Sequence, residues 1–368
     1  MTDIALVLGT RPEIIKLAPV IRACERYDVD YAVIHTGQHY SERLDEVFFK
    51  QLELSEPDIN LGVGSGSHGE QTGEMLAGIE RALTRLDPDV VIVQGDTNSA
   101  LAGAIATSKM DPELAHVEAG LRSFDRSMPE ETNRVVADHV AEYLFAPTDK
   151  SEGYLVREGI SKHRITVTGN TVVDALQRNR DLARRKSTVL SDLGLEHRGY
   201  LLMTAHRQEN VDDEARFRSL LDGVASAGAE HGLEVVYPVH PRARDRLEAF
   251  GLEPPEPIRT VDPQDYLDFV RLLSGSAAVL TDSGGVQEEA CILGVPCVTL
   301  RDNTERPETI DVGANQLSSC DPDRIRRATR EMLETDGNWE NPFGDGDAAE
   351  RILRELPVTV RTEEEVVR

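Results

Sequence analysis

A chain of 368 residues is too long for one ordinary hydrophobic core and long enough for two domains. Its 39% hydrophobic and 29% charged residues make a globular composition, and no apolar run approaches the ~20 residues of a membrane span. The net charge of −26, from 66 acids against 40 bases, argues against nucleic acid and anionic lipid as partners, because such a surface repels both.

The opening MTDIALVLGT runs straight into a strand-like segment without the basic start of a signal peptide, so a cytoplasmic location is the expectation. Dense carboxylates with only six lysines resemble the surfaces of proteins from salt-accumulating halophiles. The four cysteines (Cys24, Cys291, Cys297, Cys320) form no CxxC pair and read as reduced, buried thiols. The ten histidines give no HExxH and no clustered Cys/His spacing, so no metal is expected.

Short apolar strands alternate with helical segments along the chain. IALVLG (4–9) leads to a helix from about Pro12 to Arg26, and YAVIHTG (31–37) to a helix near 41–52. VVIVQGD (90–96) precedes the Ala-rich helix 99–109, and AHVEAG, YLFAPT and RITVTGN supply further strand ends. The pattern restarts after about residue 190 with YLLMTAH (200–206), EVVYPVH (234–240), AAVLTD (277–282) and PCVTL (296–300). Continuous apolar strands separated by amphipathic helices imply parallel sheets covered on both faces. Two such series predict an α/β chain of two doubly wound, Rossmann-like domains, joined near 171–188. Ligands in such folds bind beyond the carboxyl ends of strands. Those ends carry GTRPE, TGQHY, QGDTN, VEAGLR, TAHRQEN, PVHPR and TDSGG, rich in Arg, His, Asp, Glu and Gly.

In GTRPEIIK, Gly9 suits a tight strand-to-helix turn, Pro12 suits the first helical turn, and Arg11 and Lys16 could both reach a phosphate. Asp96 ends a buried strand, where it could also cap the next helix. Glu118 ends another; a carboxylate there is partly desolvated and suits a general acid or base. SMPEETNR places Glu130 and Glu131 in a helix's first turn, where acids also favour the helix dipole. His206, Arg207 and His240 stand at strand ends of the second series. GSGSHG (64–69) matches G-x-G-x-x-G, but the preceding PDINLGV is a poor buried strand, this is not the domain's first strand-to-helix turn and the spaced acid of a dinucleotide site is absent, so it reads as a mobile Gly-rich loop over the cleft. Tyr266 and Phe269 open a helix, where core packing is the plainer reading. TDSGGVQEEA puts Ser283, Gly284 and Gly285 at a helix start, which favours an anion. Arg306, in DNTERPE, could clamp phosphate.

The strings GTRPEIIKLAPV, TGQHY, QGDT, HVEAGLR, PEETNR, TVTGNTVVDAL, HRQEN, DSGGVQEEA and TERPE, in this order over about residues 4–310, resemble the non-hydrolysing UDP-N-acetylglucosamine 2-epimerases. The resemblance implies a GT-B architecture with the active site in the cleft between two Rossmann-like domains. It implies a first domain at 1–170, a nucleotide-binding domain at 171–345, and a C-terminal helix and tail (346–368) crossing back. It further implies interconversion of UDP-GlcNAc and UDP-ManNAc, no cofactor, and a homodimer. Residue by residue, Arg11, Lys16 and His206 match positions near the diphosphate. Asp96, Glu118 and Glu130 match the acid/base carboxylates. Gln264 and Phe269 match positions that hold uracil, Ser283, Gly284 and Gly285 the phosphate-binding turn, Glu289 the ribose-binding acid, and Arg306 the Arg of TERPE. Gln38, His39, Arg207 and His240 are further expected cleft residues, and Glu288 a solvated or packing residue.

One departure stands out. Bacterial members of the family are activated by a second substrate molecule on a QHR-type loop with a further Gln, whereas Gln38-His39 is followed here by Tyr40 and Ser41. A hydrolysing epimerase or a GT-B glycosyltransferase would share the nucleotide site; neither the downstream glycan nor the face on which each carboxylate acts follows from the sequence.

Overall fold

The computed structural model describes residues 2–38 and 48–360. Most of the helix expected near 41–52, and His39, lie outside them. The chain divides into two compact units: the residues up to Ala175 together with those from Phe343 on, and Leu176–Pro342.

The first unit is built on a seven-stranded sheet of order β3-β2-β1-β4-β5-β6-β7. Its strands are β1 (Ile4–Leu8), β2 (Tyr31–His35), β3 (Ile59–Asn60), β4 (Val90–Gln94), β5 (Glu113–Val117), β6 (Tyr143–Ala146) and β7 (Ile165–Val167). All paired strands are parallel. β1 and β4 are buried along their whole lengths, as continuous apolar strands between two helical layers must be. The helices are α1 (Arg11–Arg26), α2 (His68–Leu86), α3 (Asn98–Thr107), α4 (Pro129–Val140), α5 (Asp149–Arg157) and α6 (Thr171–Lys186), within which the division between the units falls. α1 starts with Pro12 in its first turn, where a missing N–H costs nothing.

Three local readings change. The cap of α3 is Thr97, whose hydroxyl accepts from Ala100 N, so Asp96 keeps its carboxylate for other partners. The GSGSHG stretch is not loop throughout: Ser67 caps α2, which begins at His68, in a reciprocal capping box with Glu70. Its preceding segment does form a strand, but only the two-residue edge strand β3.

The second unit holds a six-stranded parallel sheet of order β10-β9-β8-β11-β12-β13. Its strands are β8 (Tyr200–Thr204), β9 (Glu234–Pro238), β10 (Ile258–Val261), β11 (Ala278–Thr281), β12 (Cys297–Thr299) and β13 (Asn315–Leu317). Its helices are α7 (Val189–Asp192), α8 (Gln208–Val211), α9 (Glu214–His231), α10 (Pro241–Phe250), α11 (Tyr266–Gly275), α12 (Gly284–Leu293), α13 (Pro307–Asp311) and α14 (Pro322–Leu333). The edge strands β10 and β13 carry too few consecutive apolar residues to stand out in the sequence. Both sheets have the doubly wound order, so the chain is α/β with two Rossmann-like domains.

The last helix, α15 (Ala348–Glu355), belongs to the first unit. It buries Ile352 and Leu353, its Glu350 pairs with Arg26 of α1 at 2.7 Å, and Ala349 N donates to Asp174 Oδ1 at 3.0 Å. All four cysteines are unpaired and buried. No helix among the described residues is long and apolar enough to cross a membrane.

Candidate active site

In each sheet the strand order reverses beside the first strand of its series, and in such folds ligands bind outside the carboxyl ends at that point. In the first unit these are the ends of β1 and β4, with β5 adjoining. Glu13, from the first turn of α1, joins the two loops: its carboxylate accepts from Gly9 N at 3.0 Å and Thr10 Oγ1 at 2.8 Å, and from Thr97 Oγ1 at 2.6 Å. Full burial pushes its carboxyl up to about 7, against the lowering pull of those hydrogen bonds. Gly9 is required here, since an added Cβ would collide with Thr36 Oγ1 and Ser99 Oγ.

Glu118 follows β5 and is nearly buried, at 7% exposure. Its backbone sits at φ 71°, the left-handed region that a glutamate rarely adopts. Such strain persists only where surrounding contacts over-determine the conformation, and three side chains do so. Lys16 Nζ lies 2.5 Å from Oε1, Asn170 Nδ2 donates to Oε1 at 3.1 Å, and Gln94 Nε2 donates to Oε2. The turn is completed by Gly120 at φ 80°, where a Cβ would strike the carbonyl of Ser151.

Asp96 is about one-third exposed and pairs with Arg134 of α4. Arg134 also reaches Glu131 at 3.2 Å. The two acids of PEE therefore separate. Glu131 is buried and accepts from Ser123 N, Ser123 Oγ and Phe124 N, fixing the loop before α4. Burial pushes its carboxyl up, but these hydrogen bonds and Arg134 outweigh it and hold it below the usual range. Glu130 stays exposed at the first turn of α4. Arg11 is exposed, with its guanidinium 6.0 Å from the centre of the Phe48 ring. Gln38 is tied down by Ser99, whose N and Oγ donate to its Oε1 at 3.3 and 2.8 Å.

In the second unit the corresponding ends are those of β8 and β11. Asp282 is completely buried there and accepts from His206 N at 2.9 Å, Arg207 N at 3.0 Å and Asn210 Nδ2 at 3.1 Å. It thereby sets the loop that presents His206, whose Nδ1 lies 3.3 Å from the same carboxylate. His206 and His240 have ring centres 5.2 Å apart. Burial and the neighbouring His206 lower the pKa of His240, and its Nδ1 accepts from Arg242 N at 3.2 Å, as the neutral ring must.

Ser283 is the N-cap of α12 but makes no side-chain cap bond, and Gly284 and Gly285 form the first turn. Glu305 lies against Gly284. It is held by Arg301 at 2.8 and 2.9 Å and lies 3.7 Å from Arg207. The hydrogen bond from Arg301 brings its carboxyl down to about 2 despite burial. Glu288 is buried and pairs with Arg306 at 3.4 Å, so it is a packed ion-pair partner and not a solvated residue. Glu289 is half-buried and raises the buried phenol of Tyr266, after burial itself, by its charge. Gln264 lines a cavity of about 670 Å³ with Leu193, Val239 and Leu247, and donates to Asp262 O at 2.6 Å. Phe269 packs against the apolar cluster around Tyr200 and Leu272.

Sequence reasoning missed Glu13, Gln94, His116, Asp138 and Asn170 in the first unit, and Asp282, Arg301 and Glu305 in the second. Glu13, Gln94, His116, Asp282 and Glu305 stand inside or beside the quoted strand-end strings. What marks them is burial of a polar side chain, which a strand-end census does not weigh. Among the described residues no group of three or more His, Cys, Asp or Glu could hold a metal ion.

A family model described as UDP-N-acetylglucosamine 2-epimerase matches residues 22–357. The UDP-N-acetylglucosamine 2-epimerase of Methanocaldococcus jannaschii is 49% identical over 96% of this chain and 98% of its own length. The UDP-2,3-diacetamido-2,3-dideoxy-D-glucuronate 2-epimerase of Pseudomonas aeruginosa is 40% identical over 96% of this chain and 99% of its own. The crystal structure of the M. jannaschii enzyme with UDP-GlcNAc and UDP superposes with a TM-score of 0.84, covering 96% of this chain and 99% of that one. With the match running through both Rossmann-like domains and through every strand-end loop described above from β2 onward, this chain belongs to the UDP-N-acetylglucosamine 2-epimerase family.

Proposed function

We propose that this chain interconverts UDP-GlcNAc and UDP-ManNAc by inverting C2 of the sugar, without hydrolysing the nucleotide. The observation that carries the reading is Glu118: a nearly buried carboxylate in a left-handed turn, fixed by Lys16, Gln94 and Asn170.

The proton on C2 is not activated by an adjacent carbonyl, so simple deprotonation is too hard. Breaking the C1–O bond, with the electron pair leaving on the UDP oxygen, makes loss of the C2 proton to a carboxylate feasible and gives a 2-acetamidoglucal. UDP then adds back at C1 while a proton is delivered to the opposite face of C2. The cycle consumes nothing and needs at least two acid/base groups plus cationic support for the departing diphosphate. Glu118, Asp96 and Glu130 are the acid/base candidates. Lys16 fits a role in setting the charge of Glu118. In the second unit, the α12 start at Ser283–Gly285, with His206 and Arg306, suits the diphosphate. Glu289 suits the ribose hydroxyls, and Gln264 and Phe269 the uracil.

The test is incubation with UDP-GlcNAc followed by proton and phosphorus NMR. The reading predicts a mixture of two intact UDP-sugars. Free UDP with free ManNAc would instead mark a hydrolysing epimerase, and no reaction without an acceptor sugar would point to a transferase. The P. aeruginosa relative makes its diacetamido uronate nucleotide the competitor substrate, which this reading predicts to turn over at least about 10-fold less efficiently, about 1.4 kcal/mol in the barrier.

A further inference from the structure

Two of the proposed acid/base carboxylates, Asp96 and Glu118, stand on two different strand-end turns, and one buried pair touches both turns. His116, on β5, has no exposed surface. Its Nε2 lies 2.8 Å from the carbonyl oxygen of Gly95, and its Nδ1 lies 2.7 Å from Asp138 Oδ1. A carbonyl oxygen can only accept. Asp138, equally buried, accepts from Gly120 N at 3.2–3.3 Å and pairs with Arg122 at 2.7 Å, so it is an ionised acceptor. Both ring nitrogens of His116 must therefore donate, and only the imidazolium does that.

We propose that His116 is a buried imidazolium at neutral pH and a positioning residue that locks the Gly95–Asp96 turn to the Glu118–Gly120 turn. The kinetic part rests on the 2-epimerase reading; the protonation part does not. Each end of the clamp is one residue from a proposed carboxylate or two from it. Gly95 O is held by the ring while Gly95 N donates to Val117 O at 3.0 Å, so β5 fixes both backbone polar groups of Gly95, the residue before Asp96. Asp138 fixes Gly120 N, two residues beyond Glu118. The charged groups around the ring are Asp138 from α4, Arg122 and Glu118 from the segment after β5, Glu158 through its bidentate pair with Arg122, and Lys16 through Glu118. Burial pulls His116 towards neutrality, but Asp138 and the Gly95 carbonyl outweigh it, and the net direction is upward. Burial likewise raises Asp138, and His116 and Arg122 bring it below its ordinary value.

Two measurements test this. In the wild-type protein with 15N-labelled histidine, NMR should show one ring with two exchange-protected N–H protons that persists above pH 8. A buried ring carrying a single proton at neutral pH would overturn the proposal. Kinetically, His116→Gln keeps one donor but loses the charge and one of the two hydrogen bonds. We expect kcat to fall on the order of 10- to 100-fold with KM within about 2-fold and UDP binding unchanged, the pattern of lost transition-state alignment. Asp138→Asn should shift the ring signals to the neutral form and give the same split. Unchanged kcat, or a loss carried only by KM, would overturn the positioning role. Should wild-type protein fail to invert C2 at all, the epimerase reading falls with the kinetic arm, while the ring N–H measurement still decides the state of His116.

Discussion

Glu118 and Glu13 are both buried carboxylates, yet their surroundings prepare them for different work. Glu118 receives an ammonium and two amide donors, which favour its charge; Glu13 accepts from three neutral donors and is otherwise enclosed. Replacing Glu118 by Gln should lower turnover on the order of 10²–10⁴-fold, the range for a lost acid or base. UDP affinity, measured by calorimetry, should stay within about 3-fold. Glu13 makes a thermodynamic prediction. Its folded pKa of about 7 exceeds the ordinary 4.5, so the native state binds the extra proton between those values and stability falls as pH rises through that window. Glu13→Gln removes the titration. The stability of the variant relative to wild type should therefore rise from about pH 4.5 to pH 7, by at most on the order of 3 kcal/mol, as read from urea midpoints. Individual chemistry was only partly legible: the sequence singles out Glu118 by its place at a strand end, but not its contact with Lys16. Strand-end position says where a side chain begins, not which neighbour a four-carbon stem reaches.

At the scale of elements, caps decide more than composition suggests. α15 has Asp347 before it without a side-chain cap bond, and Asp174 on α6 supplies the acceptor for Ala349 N instead. Asp174→Ala should cost about 1 kcal/mol and speed amide exchange in 348–355, whereas Asp174→Asn, which keeps an acceptor, should cost less. Equal losses in both variants would remove the cap explanation. The same long-range logic explains what could not be read beforehand. Thr97, not Asp96, caps α3, because the helix begins at Asn98, and Asp96 pairs instead with Arg134, which lies far along the chain. The strongly apolar strands β1, β4, β8 and β11 are plain in the sequence because burial on both faces demands an uninterrupted apolar run. β10 and β13 lie at a sheet edge and escape that demand.

For the whole molecule, the repeated strand–helix alternation made the two Rossmann-like domains legible, since each series must cover a parallel sheet on both faces. The excess of 66 acids over 40 bases has a separate consequence. Like charges repel at low ionic strength, and at ~1 M salt the screening length shrinks to about 3 Å. The melting temperature should therefore rise by roughly 5 °C or more between dilute buffer and molar KCl, worth on the order of 4 kcal/mol at an unfolding entropy of about 2 cal/mol/K per residue. A flat response would mean that the acidic surface carries no net strain. The central claim is that C2 is inverted through loss and return of its proton on fixed carboxylates. Incubation with UDP-GlcNAc in D2O tests it most directly: the account predicts deuterium at C2 of intact UDP-sugars, lost in Glu118→Gln. Inversion that retains the original hydrogen at C2 would contradict it.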